Sequence, residues 1–333
     1  MDKSKFKPYI AFIFLCIAYG TSSALVSIIR KTVDPIVLSC VRFFFGLVTS
    51  IFVFTINIIK DNNYMRHIRQ SLSSQSINVP KAMLCGIINY GFPYSLIAIS
   101  QRSVSSIAVQ ISQPLVSVFS LLASHILLSN EKCTAKKLFY QLLSVFGTIL
   151  TSIPTLKFSK SKNAVFMFDY FLLFLSTVSF GFGTVYVKYS QSKPDHTALC
   201  MFQLLGAFIY SFVYGVYCFG LNQFIFYLAQ IDRSALFLII ILGIFYTCLT
   251  SITFLYVLRE LGVVVSNYTN VGQIIIGILV GVVFLNEWSN YSFFDIVLSI
   301  TGLIVLFVSI IFGIQNENKI NSNDELTPFV QNL

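Results

Sequence analysis

Two pairs of side-chain amides stand inside otherwise apolar stretches of this 333-residue chain. Gln110 and Gln113 lie in SVSSIAVQISQPLVSVFSLLASHILLSNEK, from Ser103 to Lys132. Asn267 and Asn270 lie in LGVVVSNYTNVGQIIIGILVGVVFLNEW, from Leu261 to Trp288, 157 positions further on. An amide donates and accepts hydrogen bonds without carrying charge. Such groups recognise a polar solute rather than break a bond. Each pair also lies on a helical stripe: Ser106, Gln110, Gln113 and Ser117 in one stretch, Ser266, Asn270, Gln273, Gly277 and Gly281 in the other. Two roles fit these residues. They line a cavity, or they bond helix to helix, as amides and small residues do inside membranes.

A third group lies in Asn89-Tyr-Gly-Phe-Pro-Tyr94. Pro93 removes a backbone donor, and Gly91 permits bending. Gly/Pro-interrupted crossings mark transporter sites. Asn89, Tyr90 and Tyr94 are therefore candidates for solute contact, although tyrosines near span ends also serve as interfacial anchors. Arg42 is an in-span charge, expensive in a bilayer and hence a candidate too. Asp169 and His125 are the groups available for proton relay. Catalytic patterns are missing. The three histidines form no H-E-x-x-H, the seven cysteines form no C-x-x-C, and there is no G-x-x-x-x-G-K-[ST] loop. No metal and no cofactor is expected.

The elements that must position these residues follow from composition. The chain is 56% hydrophobic and 11% charged, with mean hydropathy +0.80. Soluble domains carry roughly 25% charged residues. The sequence predicts an all-α integral membrane protein, because a helix of ~20 apolar residues satisfies its own backbone in lipid. Ten crossings are expected, at 8–29, 36–58, 82–100, 104–128, 138–156, 165–187, 197–219, 235–257, 262–285 and 292–314. The segment 60–81 is polar and lies outside the membrane. The tail 315–333 has the composition of a disordered cytoplasmic segment.

Positive charge sets the orientation. With a cytoplasmic N-terminus, fourteen of the 22 Lys and Arg fall on the cytoplasmic side, seven on the other, and Arg42 within a span. Both termini are then cytoplasmic, at the plasma membrane or an internal one. The net charge of +9 reflects this topology, not a nucleic-acid surface. The basic start and first apolar run resemble a signal peptide, but the run is too long and lacks a cleavage site.

The halves match in order. Gly20-Thr21 corresponds to Gly183-Thr184, Gly46 to Gly206, Gly86-Ile87 to Gly243-Ile244 and Gly147 to Gly302. Five crossings per half is an odd number, so the second copy is inverted. Residues 8–156 and 165–314 are thus expected as two inverted five-helix repeats with a site between them.

Ten spans as five plus five, the Gly of spans one and six, Pro114 in span four, and the short turns Asn130-Glu131 and Asn286-Glu287 resemble the drug/metabolite transporter superfamily, EamA type. The resemblance covers residues 8–314. It departs at Tyr19-Gly20, where the family often has Trp-Gly, and at Val271, where a Pro often matches Pro114. It implies a basket of helices around a solute cavity lined by spans one, three, four, six, eight and nine. Relatives carry amino acids, nucleobases, drugs, sugar phosphates and nucleotide sugars.

The expected function is secondary transport of a small organic solute by alternating access. No Lys or Arg lies mid-span in spans four, eight or nine, which favours a neutral or zwitterionic metabolite over an anionic sugar phosphate or nucleotide sugar. The expectation from another class is a lipid-modifying membrane enzyme, which requires clustered catalytic groups near one interface. The expected partners are a small-molecule solute and the lipid bilayer, with no nucleic acid. A homodimer is compatible with the sequence. The charge bias makes one direct prediction. Ser161→Cys, on a background without native thiols, reacts with a membrane-impermeant thiol reagent added outside sealed right-side-out membranes. Labelling only after permeabilisation reverses the orientation.

Overall fold

The computed structural model describes residues 6–74, 77–100, 106–128, 133–157, 164–191, 195–285 and 291–330. These residues are almost entirely helical, with no strand among them. The helices are α1 (Lys7–Ile29), α2 (Pro35–Lys60), α3 (Tyr64–Ser73), α4 (Val79–Ser100), α5 (Ser106–Leu127), α6 (Ala135–Lys157), α7 (Ala164–Ser190), α8 (His196–Phe219), α9 (Leu221–Ala229), α10 (Arg233–Asn267), α11 (Thr269–Leu285) and α12 (Phe293–Val330). Six segments among the described residues are long and apolar enough to cross a membrane: α2, α4, Met167–Ser190 of α7, α8, α10 and Phe293–Glu317 of α12. The turns Asn130-Glu131 and Asn286-Glu287 and the loop 158–163 lie outside the described residues.

Polar residues in the sequence mark where these helices start. Asp34, Asn78, Asp195 and Asp232 each accept a bond from a backbone N–H in the first turn of α2, α4, α8 and α10. Pro35 and Pro80 occupy first-turn positions, where a missing N–H costs nothing. Outward faces are apolar, with Phe52, Ile126 and Tyr217 well exposed. Many buried hydroxyls, such as those of Ser144, Thr148 and Ser152, bond carbonyls one turn back in their own helix. That arrangement suits a bundle whose surroundings cannot bond polar groups.

Two helices are irregular at matching places. A π turn occupies Ile87–Gly91 of α4, and another occupies Ile244–Leu249 of α10. Each directly follows a glycine, Gly86 or Gly243. Pro93 follows only the first turn, so proline is not the common cause. The second break in α10 is Gly262, at φ 82° and ψ 173°. There the chain reverses out of helix, at the place where one crossing was expected to end and the next to begin.

Glycines set the helix crossings. A Cβ on Gly86 would overlap the Gln203 carbonyl of α8, and one on Gly206 would overlap the Met83 carbonyl of α4. The same relation joins α2 and α10: a Cβ on Gly243 would press on Phe45, and one on Gly46 on Thr247. Gly147 of α6 and Gly302 of α12 face one another's carbonyls. One expected match is corrected by packing. Gly20 of α1 lies against the Gln273 carbonyl of α11, and the glycine of α7 lying against the Val116 carbonyl of α5 is Gly181 rather than Gly183. Contact with a partner backbone, not letter order in a Gly-x-Gly run, decides the equivalence.

The polar segment 60–81 contains an amphipathic helix, α3, with Ile68 buried against Ile77 and Ala198. The Tyr64 hydroxyl donates to Asp195 Oδ1 at 2.7 Å. Burial, with Asp195 beside it, holds that phenol protonated well above its usual range.

Helix α12 continues past the last expected crossing, from Phe293 to Val330. No Gly or Pro interrupts the chain between Gly313 and Pro328. Lys137 Nζ of α6 meets Glu317 Oε1 at 2.8 Å, with both side chains almost fully buried. Breaking such a pair strands a buried charge at a cost of about 3–5 kcal/mol, whereas replacing both partners by apolar residues is often neutral. Lys137→Met is therefore expected to lower the unfolding temperature of the purified protein. Lys137→Met with Glu317→Met is expected to recover most of the loss. A single variant as stable as the wild type removes this ion pair as the anchor of the segment.

Candidate functional site

The two π turns and the two amide stretches converge on one cavity system. Its inner part, about 80 Å³, is lined by residues of α1, α2, α4, α5, α7, α10 and α11. Its larger part, about 140 Å³, shares Tyr19, Arg42, Tyr94, Gln113, Phe180 and Gln273 with the inner part and reaches the α1–α2 turn at Arg30 and Pro35.

The local folding of each wall explains the side chains it presents. A π turn widens the helix by one residue and shifts its hydrogen-bond register, which leaves backbone groups for other partners. In α4 the turn places Asn89 and Tyr90 on the inner cavity. The Ile88 carbonyl there accepts from Ser179 of α7 at 2.7 Å. In α10 the turn places Tyr246 and Thr247 on the same cavity. Thr247 Oγ1 donates to the Leu242 carbonyl at 3.0 Å and accepts from Arg42 Nε at 2.7 Å. Arg42 Nη2 donates to the Tyr246 carbonyl at 3.1 Å. The Arg42 guanidinium lies 4.7 Å above the centre of the Tyr94 ring, a cation–π arrangement. Phe43 and Phe180 hold that ring edge-on.

Seven of the eight residues singled out from the sequence line this cavity system: Arg42, Asn89, Tyr90, Tyr94, Gln113, Asn267 and Asn270. The helix of Gln110 is described, but its side chain lies outside the described residues. The amides also serve the helices. Asn267 Nδ2 donates to the Val263 carbonyl at 2.9 Å, and the Asn267 carbonyl accepts from Ser117 of α5 at 2.8 Å. Asn270 Nδ2 reaches Asn267 Oδ1 at 3.3 Å, and Gln113 Nε2 reaches the Val109 carbonyl at 3.4 Å. Asn89 Oδ1 accepts from Thr184 at 3.4 Å. The Tyr90 hydroxyl is buried, with no partner in good hydrogen-bond geometry among the described residues. Gln113 and Asn270, only part-buried and held by long bonds, are the amides with most capacity left for a solute.

Sequence reasoning missed four contributors. The implied set of lining spans left out span two, yet α2 supplies Arg42, Leu38 and Ser39. Gln273 was visible on the polar stripe of α11 and lines both parts. Tyr19 was visible only as a departure from a family pattern. Arg30 counted as a loop charge, and it lines the larger part with Nη1 buried and unpartnered among the described residues. The absence of Lys and Arg from spans four, eight and nine therefore does not describe the cavity, whose cations among the described residues are Arg30, at the end of α1, and Arg42 of α2. Asp169 and His125 line neither part. His125 Nδ1 instead accepts from the Cys133 backbone at 3.4 Å. Among the described residues no three His, Cys, Asp or Glu side chains are grouped as a metal site would need.

Comparisons with known proteins agree with this architecture. No curated protein matches the sequence. A solved structure, described only as the crystal structure of a protein, shares the fold with a TM-score of 0.62 at 13% identity, over 92% of this chain and 94% of that one. The model of the EamA-like transporter family matches residues 6–153, from the residue before α1 to the last turn of α6. Over residues 6–153 this multi-pass helical chain is similar to the EamA-like transporter family, within the drug/metabolite transporter superfamily.

Proposed function

We propose that the chain is a secondary transporter that carries a small polar organic solute by alternating access. Two inverted five-helix units, residues 8–156 and 165–314, make ten crossings and rock about the cavity between them. Both termini lie in the cytoplasm. The protein's partners are the solute and the bilayer, and transport involves no covalent chemistry.

The observation that carries this reading is the pair of π turns. They follow Gly86 and Gly243, 157 positions apart, and both open on the inner cavity. The amides Gln113 and Asn270 share that offset and that cavity. The crossings of α4 with α8 and of α2 with α10 use corresponding glycines, and Gly147 meets Gly302. Broken helices around a central site at a repeat interface are the usual construction of secondary transporters. Motion about such a site needs helices that slide or tilt as units. The glycine crossings supply smooth contacts for that motion, and the π turns supply places to bend.

The side chains around the inner cavity bind by hydrogen bonds and ring contact. Gln113 comes from the first unit and Asn270 from the second, so a solute bonded to both couples the units. Removing one such bond leaves a polar group of the solute unpaired in a dry site, at about 1–3 kcal/mol, or roughly five- to 150-fold in affinity. Gln113→Leu and Asn270→Leu are each expected to weaken solute binding by that factor while leaving the unfolding temperature unchanged or raised. Solute affinity and thermal unfolding, measured on the same purified variants, separate this role from helix-to-helix bonding. Unchanged affinity with lowered stability in both variants overturns the shared-cavity role.

A further inference from the structure

We propose that the solute is a small organic carboxylate, seated by its carboxylate on Arg42, with Arg30 as a second cation at the outer end of the cavity. The proposal rests on the transporter reading above and names the class of solute.

Arg42 is the central observation. Its side chain is 6% exposed, and a guanidinium does not lose its proton in proteins. It has five N–H donors. Nε is taken by Thr247 and one Nη2 hydrogen by the Tyr246 carbonyl. Three donors are left beside the cavity. Among the described residues no carboxylate pairs with Arg42, and no Asp or Glu lines either part of the cavity. A permanent buried charge without a counter-charge is costly, and an anion from outside is the natural remedy.

The bonds to Thr247 and Tyr246 also fix the plane of the guanidinium, and the Tyr94 face holds it from one side. A planar fork held in place matches the two oxygens of a carboxylate. Among the described residues only one such fork lies deep in the cavity. A phosphate dianion would call for more than one fixed cation at the same depth.

Arg30 supports the same sign of charge. It ends α1, lines the larger part of the cavity, and has a buried Nη1 without a partner among the described residues. Arg42 lies two helical turns beyond Pro35, so roughly 10 Å of α2 separates it from the mouth where Arg30 stands. The two cations form a graded path, outer then inner, for one negative group. Beyond Arg42 the inner part has no charged lining residue among those described, and it holds the buried Tyr90 hydroxyl and the Asn89 amide. That end suits a hydrogen-bonding group on the far side of the solute. With parts of about 140 and 80 Å³, the solute is small.

The test uses the full chain in proteoliposomes and four radiolabelled probes: lactate, alanine, glycerol and glycerol 3-phosphate. Uptake of lactate or alanine is expected, with glycerol and glycerol 3-phosphate not carried. Arg42→Lys keeps the charge and loses the fork, and is expected to lower the efficiency of carboxylate uptake about ten- to 100-fold. Because Arg42 also braces the π turn of α10, Arg30→Gln is measured beside it. Arg30 Nη1 has no partner among the described residues, and the loss of Arg30 is expected to raise the carboxylate concentration for half-maximal uptake several-fold. Carriage of glycerol or glycerol 3-phosphate without either carboxylate overturns the solute class and leaves the transporter reading standing. Uptake of none of the four overturns both. Carboxylate uptake unchanged in Arg42→Lys removes Arg42 as the seat, and uptake unchanged in Arg30→Gln removes the outer cation.

Discussion

The closeness of helix backbones at four glycines governs the rest of the structure. Gly86 and Gly206 let α4 and α8 touch main chain to main chain, and Gly46 and Gly243 do the same for α2 and α10. A single methyl at Gly86 or Gly206 would occupy the space of a partner carbonyl. Association of helices in lipid relies on packing rather than on the hydrophobic effect, so small residues at crossings are what hold such bundles together. The tight crossings have a second effect. Each ends where a π turn begins, so the helix is pinned on one side of the irregularity and widened on the other.

That placement concentrates polarity. Most hydroxyls among the described residues spend their one donor on a carbonyl of their own helix. At the π turns the backbone register is shifted, and side chains from other helices take up the exposed groups. Ser179 takes the Ile88 carbonyl, and Arg42 takes the Tyr246 carbonyl. The cavity is therefore not simply a gap between helices. Its walls are the parts of the bundle where helical hydrogen bonding is incomplete and must be completed by neighbours.

Arg42 joins these themes. It comes from α2, bonds the π turn of α10 and stacks on Tyr94 of α4. One side chain thus ties together elements of both halves of the chain. Its charge, in a cavity that no Asp or Glu lines among the described residues, makes it both a structural brace and a source of positive field deep in the cavity. An anion seated there would alter the forces between α2, α4 and α10 together, which is how occupancy of a central site can bias the relative position of two units.

Much was legible in the sequence. Apolar runs of bilayer length gave the class, because lipid leaves a spanning backbone no choice but to bond itself. The offset of 157 linked Gln113 to Asn270 and Gly86 to Gly243, and residues from both halves meet at one cavity. Other features depended on three-dimensional contact. The π turn at Ile244–Leu249 has no proline to announce it, and the equivalence of Gly20 with Gly181 emerges only from the carbonyls they face. Arg30 and Arg42 read as a loop charge and an in-span charge near an interface, because spacing along one helix is silent about what another helix presents. Residue 317 read as part of a polar tail, since composition does not reveal a distant Lys137. Local periodicity fixes which faces are apolar. Which polar groups share a space, and which charges find a partner, is decided by packing between helices far apart in sequence.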